Sequence, residues 1–207
     1  MEMMQNETDR KFRSYGLVSI ASVDPSIGVL LKYASDDNFM KKNLYGDLKE
    51  AYFVQEIAER IALAQKMLRN DFPSFSLLIY DAARPMSIQK QMFETVKDTD
   101  KEMYVASPYS GGGYHNYGLA VDLTIVDDKG DVLDMGSDFD CFDDVSHVGD
   151  EEALVASGRI SAQAKENRGM LLKYMSAAGF DQNPTEWWHF QRYSKEYIKE
   201  NFKLLDF

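Results

Sequence analysis

The stretch LAVDLTIVD, residues 119–127, limits the fold more than any other part of the chain. Leu119, Val121, Leu123 and Ile125 alternate with Ala120, Asp122, Thr124 and Val126, which is the period of a β-strand. Asp122 therefore shares a partly apolar sheet face. An ionised carboxylate there is costly unless a cation stands beside it. That cation is either an arginine or a metal ion.

The residues around the strand make the metal ion worth weighing. His115 precedes Asp122 by seven residues, in a segment where Gly111, Gly112, Gly113 and Gly118 let the chain fold back. His189 lies in EWWHF, among bulky aromatics and three residues after Glu186. Two imidazoles and a carboxylate leave one tetrahedral position open, as in catalytic zinc sites. Residues three apart on a flat strand face opposite sides, so Glu186 joins His189 only if the chain bends between them or Glu186 lies before the strand. From there it can exchange protons with water on a metal without ligating it. Each residue also has a structural alternative: a satisfied core histidine, a salt-bridge glutamate, and core filling for Trp187 and Trp188. The helix-borne HExxH signature is absent. His147, in an acidic loop, is read as an exposed residue or an outer neighbour of the site.

Apolar spacing predicts a helix over 51–71, a buried strand in SFSLLIYDAARP with Arg84 at its exit, and a second helix over 87–97 after Pro85. The turn DDKGD predicts a hairpin into DVLDM, a third helix spans 162–178 and closes on Gly179, and EWWHFQRY is the last strand. Strands flanked by separate helices, without regular alternation, indicate an α+β fold with a central antiparallel sheet. At 207 residues with no linker or repeat, one domain over 1–207 is expected, residues 1–24 forming an N-terminal extension.

Charge narrows the partners. With 23 Lys+Arg against 34 Asp+Glu, the net charge of -11 disfavours nucleic acid and anionic membrane, and a small or zwitterionic ligand fits better. Cys141 is the single cysteine, which excludes an internal disulfide and a thiolate-rich zinc site. The apolar run 15–23 contains two serines and stops at Asp24-Pro25, so it reads as a strand better than as a signal core. The expectation is a cytoplasmic protein, or an exported or periplasmic one if a signal peptide was removed before the sequence was recorded.

Taken together, YDAARP, GYHNYGLAVDLT and EWWHF resemble the D-alanyl-D-alanine dipeptidases, relatives of the zinc DD-carboxypeptidases and of the Hedgehog signalling domain. The likeness extends to LKYASDDNF, MGSDFDCFDDVSH and ENRGMLLKYMSAAGF, and so covers the chain from about residue 25 onward. It implies a Hedgehog/DD-peptidase-like fold and one Zn2+ per chain held by His115, Asp122 and His189, with Glu186 as general base and acid. It further implies that Arg84 stabilises the oxyanion and that Asp140, with Tyr33 lining the same pocket, receives the substrate's ammonium group. The reaction implied is hydrolysis of the dipeptide D-Ala-D-Ala to two D-alanines in cell-wall metabolism. The alternative within the chemistry is a DD- or LD-carboxypeptidase acting on peptidoglycan stem peptides, which needs an open groove where Asp140 closes the pocket. A ferrous oxygenase and a metal-stabilised binding domain are the readings from other classes.

One position departs from the resemblance. Gly113 stands where the relatives carry a serine that helps hold the substrate's carboxylate. Backbone amides of residues 111–113, or the hydroxyl of Ser110, are the substitutes the sequence offers.

Overall fold

The computed structural model describes residues 7–207. Its strands are β1 (Val18–Ser19), β2 (Gly28–Val29), β3 (Tyr52–Phe53), β4 (Ser76–Asp81), β5 (Ala120–Val126), β6 (Asp181–Gln182) and β7 (His189–Gln191). Its helices are α1 (Glu7–Ser14), α2 (Gln55–Asp71), α3 (Met86–Val96), α4 (Glu151–Ala156), α5 (Ala162–Ala177) and α6 (Lys195–Asn201). β1 and β3 form a small antiparallel pair, and the other five strands make one sheet in the order β2-β4-β5-β7-β6. The whole is one α+β domain, its central sheet flanked by helices.

β5 lies in the middle of that sheet, and all seven of its residues are buried. Its pattern of apolar side chains on both faces suits covering from both sides. α2 packs on β4 and on α5, and α5 also reaches β5. The expected apolar stripe of α2 is buried through Ile57, Ala58, Ile61, Ala64 and Leu68. The helix begins four residues later than the spacing predicts, because Tyr52 and Phe53 pair with β1 and Val54 is extended.

The sheet is mixed where a fully antiparallel one is expected. β2 runs parallel to β4 along one edge, while the other pairings are antiparallel. The chain between β2 and β4 contains α2, which supplies the long crossover that parallel pairing requires. The turn after β5 forms as expected, with Asp127 N–H on Asp131 O at 3.0 Å. Its second strand, however, shrinks to a single bridge between Val126 and Val132. Side chains of α5 take the next carbonyls: Asn167 bonds Asp134 O and Arg168 bonds Met135 O, each at 2.7 Å. That segment is tied to a helix, away from the ladder.

Residues 7–24, read as an extension, contribute Phe12, Leu17 and Ile20 to the main core. Phe12 stacks on Tyr52 and meets Phe207 edge-on, so the two ends of the described chain share one cluster. The strand expected over 15–23 is limited to β1, and a 3-10 turn at Ile20–Ser22 follows it. Among the described residues no helix is long and apolar enough to cross a membrane.

Candidate active site

Strand register brings the first residues together. β5 pairs with β7 so that Asp122 lies opposite His189, and with β4 so that Asp81 lies opposite Asp122. Directly opposed residues on neighbouring strands hold their Cβ atoms about 5 Å apart. His115 arrives from the 3-10 turn Tyr114–Tyr117, which ends at Gly118 with a φ of 70° and so feeds the chain into β5. Gly118 N–H closes that turn on His115 O at 3.1 Å.

Three ligand atoms then converge. His189 Nδ1 lies 2.9 Å from Asp122 Oδ1 and 3.1 Å from His115 Nε2, and His115 Nε2 lies 3.3 Å from Asp122 Oδ1. All three residues are buried, and among the described residues they form a group able to hold a metal ion. Their outer partners fix the protons. His115 Nδ1 faces the carbonyl oxygen of Ala82 at 2.7 Å, and His189 Nε2 faces Gln191 Oε1 at 3.0 Å. Both outer nitrogens must donate there, so both inner nitrogens present lone pairs. Two lone pairs and an anionic oxygen aimed at one another have no proton to share, and a cation between them resolves the conflict. Their separations are close to about 3.3 Å, the edge of a tetrahedron with metal–ligand distances near 2.0 Å. The donor set fits a divalent ion.

The chain bends before β7, and this sets Glu186 beside the group. A turn closed by His189 N–H on Glu186 O at 3.1 Å carries Glu186 Oε2 to 3.8 Å from His189 Nδ1. Asn183 Nδ2 donates to the same oxygen at 2.7 Å. Burial is the main cause that raises the Glu186 carboxyl to about 7; His189 opposes the shift, and Asp122 and Asp140 add to it. A carboxyl near neutrality can both accept and return a proton.

Arg84 is buried at the exit of β4, where it makes a close pair with Asp81 and donates from Nη1 to Gln89 Oε1 at 3.0 Å. The structural partner that the sequence allowed is thus present, and Tyr45 caps the other oxygen of Asp81 at 2.6 Å. The same guanidinium also lines the cavity that contains His115, Asp122 and Glu186, and it lies 5.2 Å from the centre of the Tyr33 ring. Burial works against its charge; Asp81 together with Tyr45, Tyr33 and Asp122 more than compensates.

The cavity has a volume of about 310 Å³, and Asp140 is among the residues that line it. Tyr33 Oη donates to Asp140 Oδ1 at 2.8 Å, and Phe39 N–H to Oδ2 at 3.3 Å. Burial lifts this carboxyl to about 7 against those two hydrogen bonds. Every site residue read from the sequence therefore lines one cavity. His147 stays at its margin, where its Nε2 meets Tyr104 Oη at 3.0 Å. Sequence reasoning missed Asn183, Gln191 and Asp81 as partners of Glu186, His189 and Arg84. A signal existed for two of them: Gln191 is two residues from His189 on one strand face, and Asp81 is an acid closing an apolar strand.

Comparison with known proteins agrees with this geometry. A family model described as D-ala-D-ala dipeptidase, peptidase family M15, matches residues 13–205. A D-alanyl-D-alanine dipeptidase of Escherichia coli K12 is 32% identical over 178 residues, covering 84% of this chain and 83% of that protein. Dipeptidases of the same name from Enterococcus faecalis and Enterococcus faecium are 30% and 28% identical, covering 84% and 83% of this chain and 89% and 88% of their own. The buried His-Asp-His group is what a metal-dependent peptidase needs, and the match spans nearly the whole chain. On both grounds the chain belongs to the M15 metallopeptidases, in the D-Ala-D-Ala dipeptidase family.

Proposed function

We propose that the protein is a zinc dipeptidase that hydrolyses D-Ala-D-Ala to two molecules of D-alanine. One observation carries the reading: a single cavity is lined by three converging ligand atoms, by Glu186 with its carboxyl raised to about 7, and by Asp140. His115, Asp122 and His189 would hold the ion. When bound, zinc supplies Lewis acidity toward a water molecule and toward the peptide carbonyl.

The chain's own residues do the rest. Glu186 takes a proton from the attacking water as its oxygen bonds to the carbonyl carbon, and gives that proton to the departing nitrogen as the C–N bond breaks. Asn183, hydrogen bonded to Glu186, keeps the carboxylate turned toward the site. Arg84, locked by Asp81 and Gln89, offers a fixed positive charge where the carbonyl oxygen becomes negative. Asp140, oriented by Tyr33, receives the free ammonium group of the dipeptide. A longer or N-blocked peptide lacks that cation and would leave a buried carboxylate unpaired, which disfavours it.

The test is amino-acid release by the protein loaded with zinc, after chelator treatment, from D-Ala-D-Ala, L-Ala-L-Ala and N-acetyl-D-Ala-D-Ala. The expected result is one ion per chain and cleavage of the first substrate alone. Preference for the acetylated peptide would transfer the protein to the carboxypeptidases of peptidoglycan stem peptides. No release at all, with the ion confirmed in place, would end the enzymatic reading.

A further inference from the structure

The dipeptide has a second charge. If Asp140 takes its ammonium group, as the reading above requires, its carboxylate needs a partner elsewhere in the same cavity. The sequence suggests backbone amides of residues 111–113 or the Ser110 hydroxyl, but most of these donors are already engaged. Gly112 N–H bonds Ser107 O at 3.1 Å, and Gly113 N–H bonds Asn116 Oδ1 at 2.8 Å. Ser110 Oγ donates to Ser107 O at 3.2 Å.

Cations remain to be considered. Among the cavity-lining residues, the lysine and arginine side chains are Arg84 and Lys195. Arg84 is occupied by Asp81 and Gln89. Lys195 opens α6 directly after the Ser194 cap, and among the described residues no carboxylate lies within ion-pair distance of it. The neighbouring Glu196 feels its charge but is held chiefly by its own backbone and by Ser194. The position suits the task. α6 packs on the turn that carries His115, whereas Asp140 is bonded to Tyr33 and Phe39. Lys195 and Asp140 thus line one cavity from different segments of the chain. Gly113 lines the same cavity, and a Cβ there would meet Ala106 Cβ at 3.0 Å.

We propose that Lys195 recognises the substrate's carboxylate, so that Asp140 and Lys195 each meet one charge of the zwitterion. In a chain of net charge -11, an unpaired lysine at the margin of the site also supplies a local attraction for an anionic group. Lys195 is a specificity residue in this account; it takes no part in bond breaking.

The experiment compares wild type, Lys195→Met and Lys195→Arg, all zinc-loaded, on D-Ala-D-Ala and on its C-terminal amide. An exposed, solvent-screened cation predicts that Lys195→Met raises KM for the free acid by about fivefold at low salt, with kcat within about twofold. The amide should show no such difference between wild type and variant. Lys195→Arg should restore most of the affinity, and the fivefold ratio should fade near roughly 0.5 M salt. An unchanged KM in Lys195→Met, or an equal rise for acid and amide, overturns the assignment while the dipeptidase reading stands. A wild-type protein that neither cleaves nor binds D-Ala-D-Ala overturns both.

Discussion

At one end of the cavity Asp122 and His189 face each other across hydrogen-bonded strands; at the other, Asp140 sits in an irregular connection with a φ of 61°. The two ends are held by different means. In the sheet, register fixes the spacing of the side chains, and the outer contacts to Ala82 and Gln191 only choose which nitrogen carries the proton. In the loop, the carboxylate owes its orientation to a hydroxyl and an amide from residues 33 and 39, about a hundred residues away. A strand-borne group is fixed by the fold, and a loop-borne one by its partners. Damage to the first should therefore appear in metal binding and turnover, and damage to the second in substrate affinity.

Glu186 stands between the two ends and gives the sharpest way to break this division. Glu186→Gln removes the proposed proton carrier while keeping its shape, and should lower kcat by about 1,000-fold. Metal content by atomic emission should remain at the wild-type level, with KM changed little. Loss of the ion in this variant would make Glu186 part of the metal-holding end and erase the distinction.

Asp140→Asn tests the loop end, with a smaller effect. Removing the carboxylate proposed to pair with the substrate's ammonium group predicts a KM rise of about thirtyfold and a modest change in kcat. A pH signature accompanies it. Burial lifts the Asp140 carboxyl from 3.8 to about 7, so the native state keeps a proton that the unfolded chain releases between those values. The contribution to stability is complete below pH 3.8 and is lost as pH rises toward about 7. Ammonium binding needs the ionised form, so KM should fall as pH rises through the same region. Urea unfolding at low and high pH, and KM against pH, should both flatten in the variant. Glu186 titrates in the same range, and any dependence that survives in Asp140→Asn belongs to it.

The same division explains what could be read in advance. β5, β4 and α2 announce themselves by period, and Asp122 by being a carboxylate on a partly apolar strand face. His115 and His189 were candidates on chemistry alone, but convergence depends on the β5–β7 register, which a three-residue strand barely marks. Asp140 was one acid among several in its loop, and only resemblance singled it out. The parallel edge was hidden because β2 is two residues long and pairs across a helix. The lost hairpin was hidden because its competitors, Asn167 and Arg168, lie more than thirty residues downstream. Local pattern does not encode which distant side chain will claim a carbonyl.

The smallest effect is expected where a strand-borne ligand loses its outer partner. Gln191 lies on the same strand face as His189, and its Oε1 accepts from Nε2 at 3.0 Å, which keeps the lone pair on Nδ1. Gln191→Leu has a similar volume and no acceptor. Removing such a partner ordinarily costs ten- to a hundredfold in metal affinity. Here Gln191 is only partly buried, so water can replace it, and the expected loss is about tenfold, at the low end of that range. Zinc competition against a fluorescent chelator would measure it. With saturating zinc, kcat and KM should match wild type, because the Asp122–His189 register is untouched. A fall in kcat at full occupancy would mean that the ladder alone does not orient the imidazole, and that the sheet end of the cavity depends on side-chain partners as much as the loop end does.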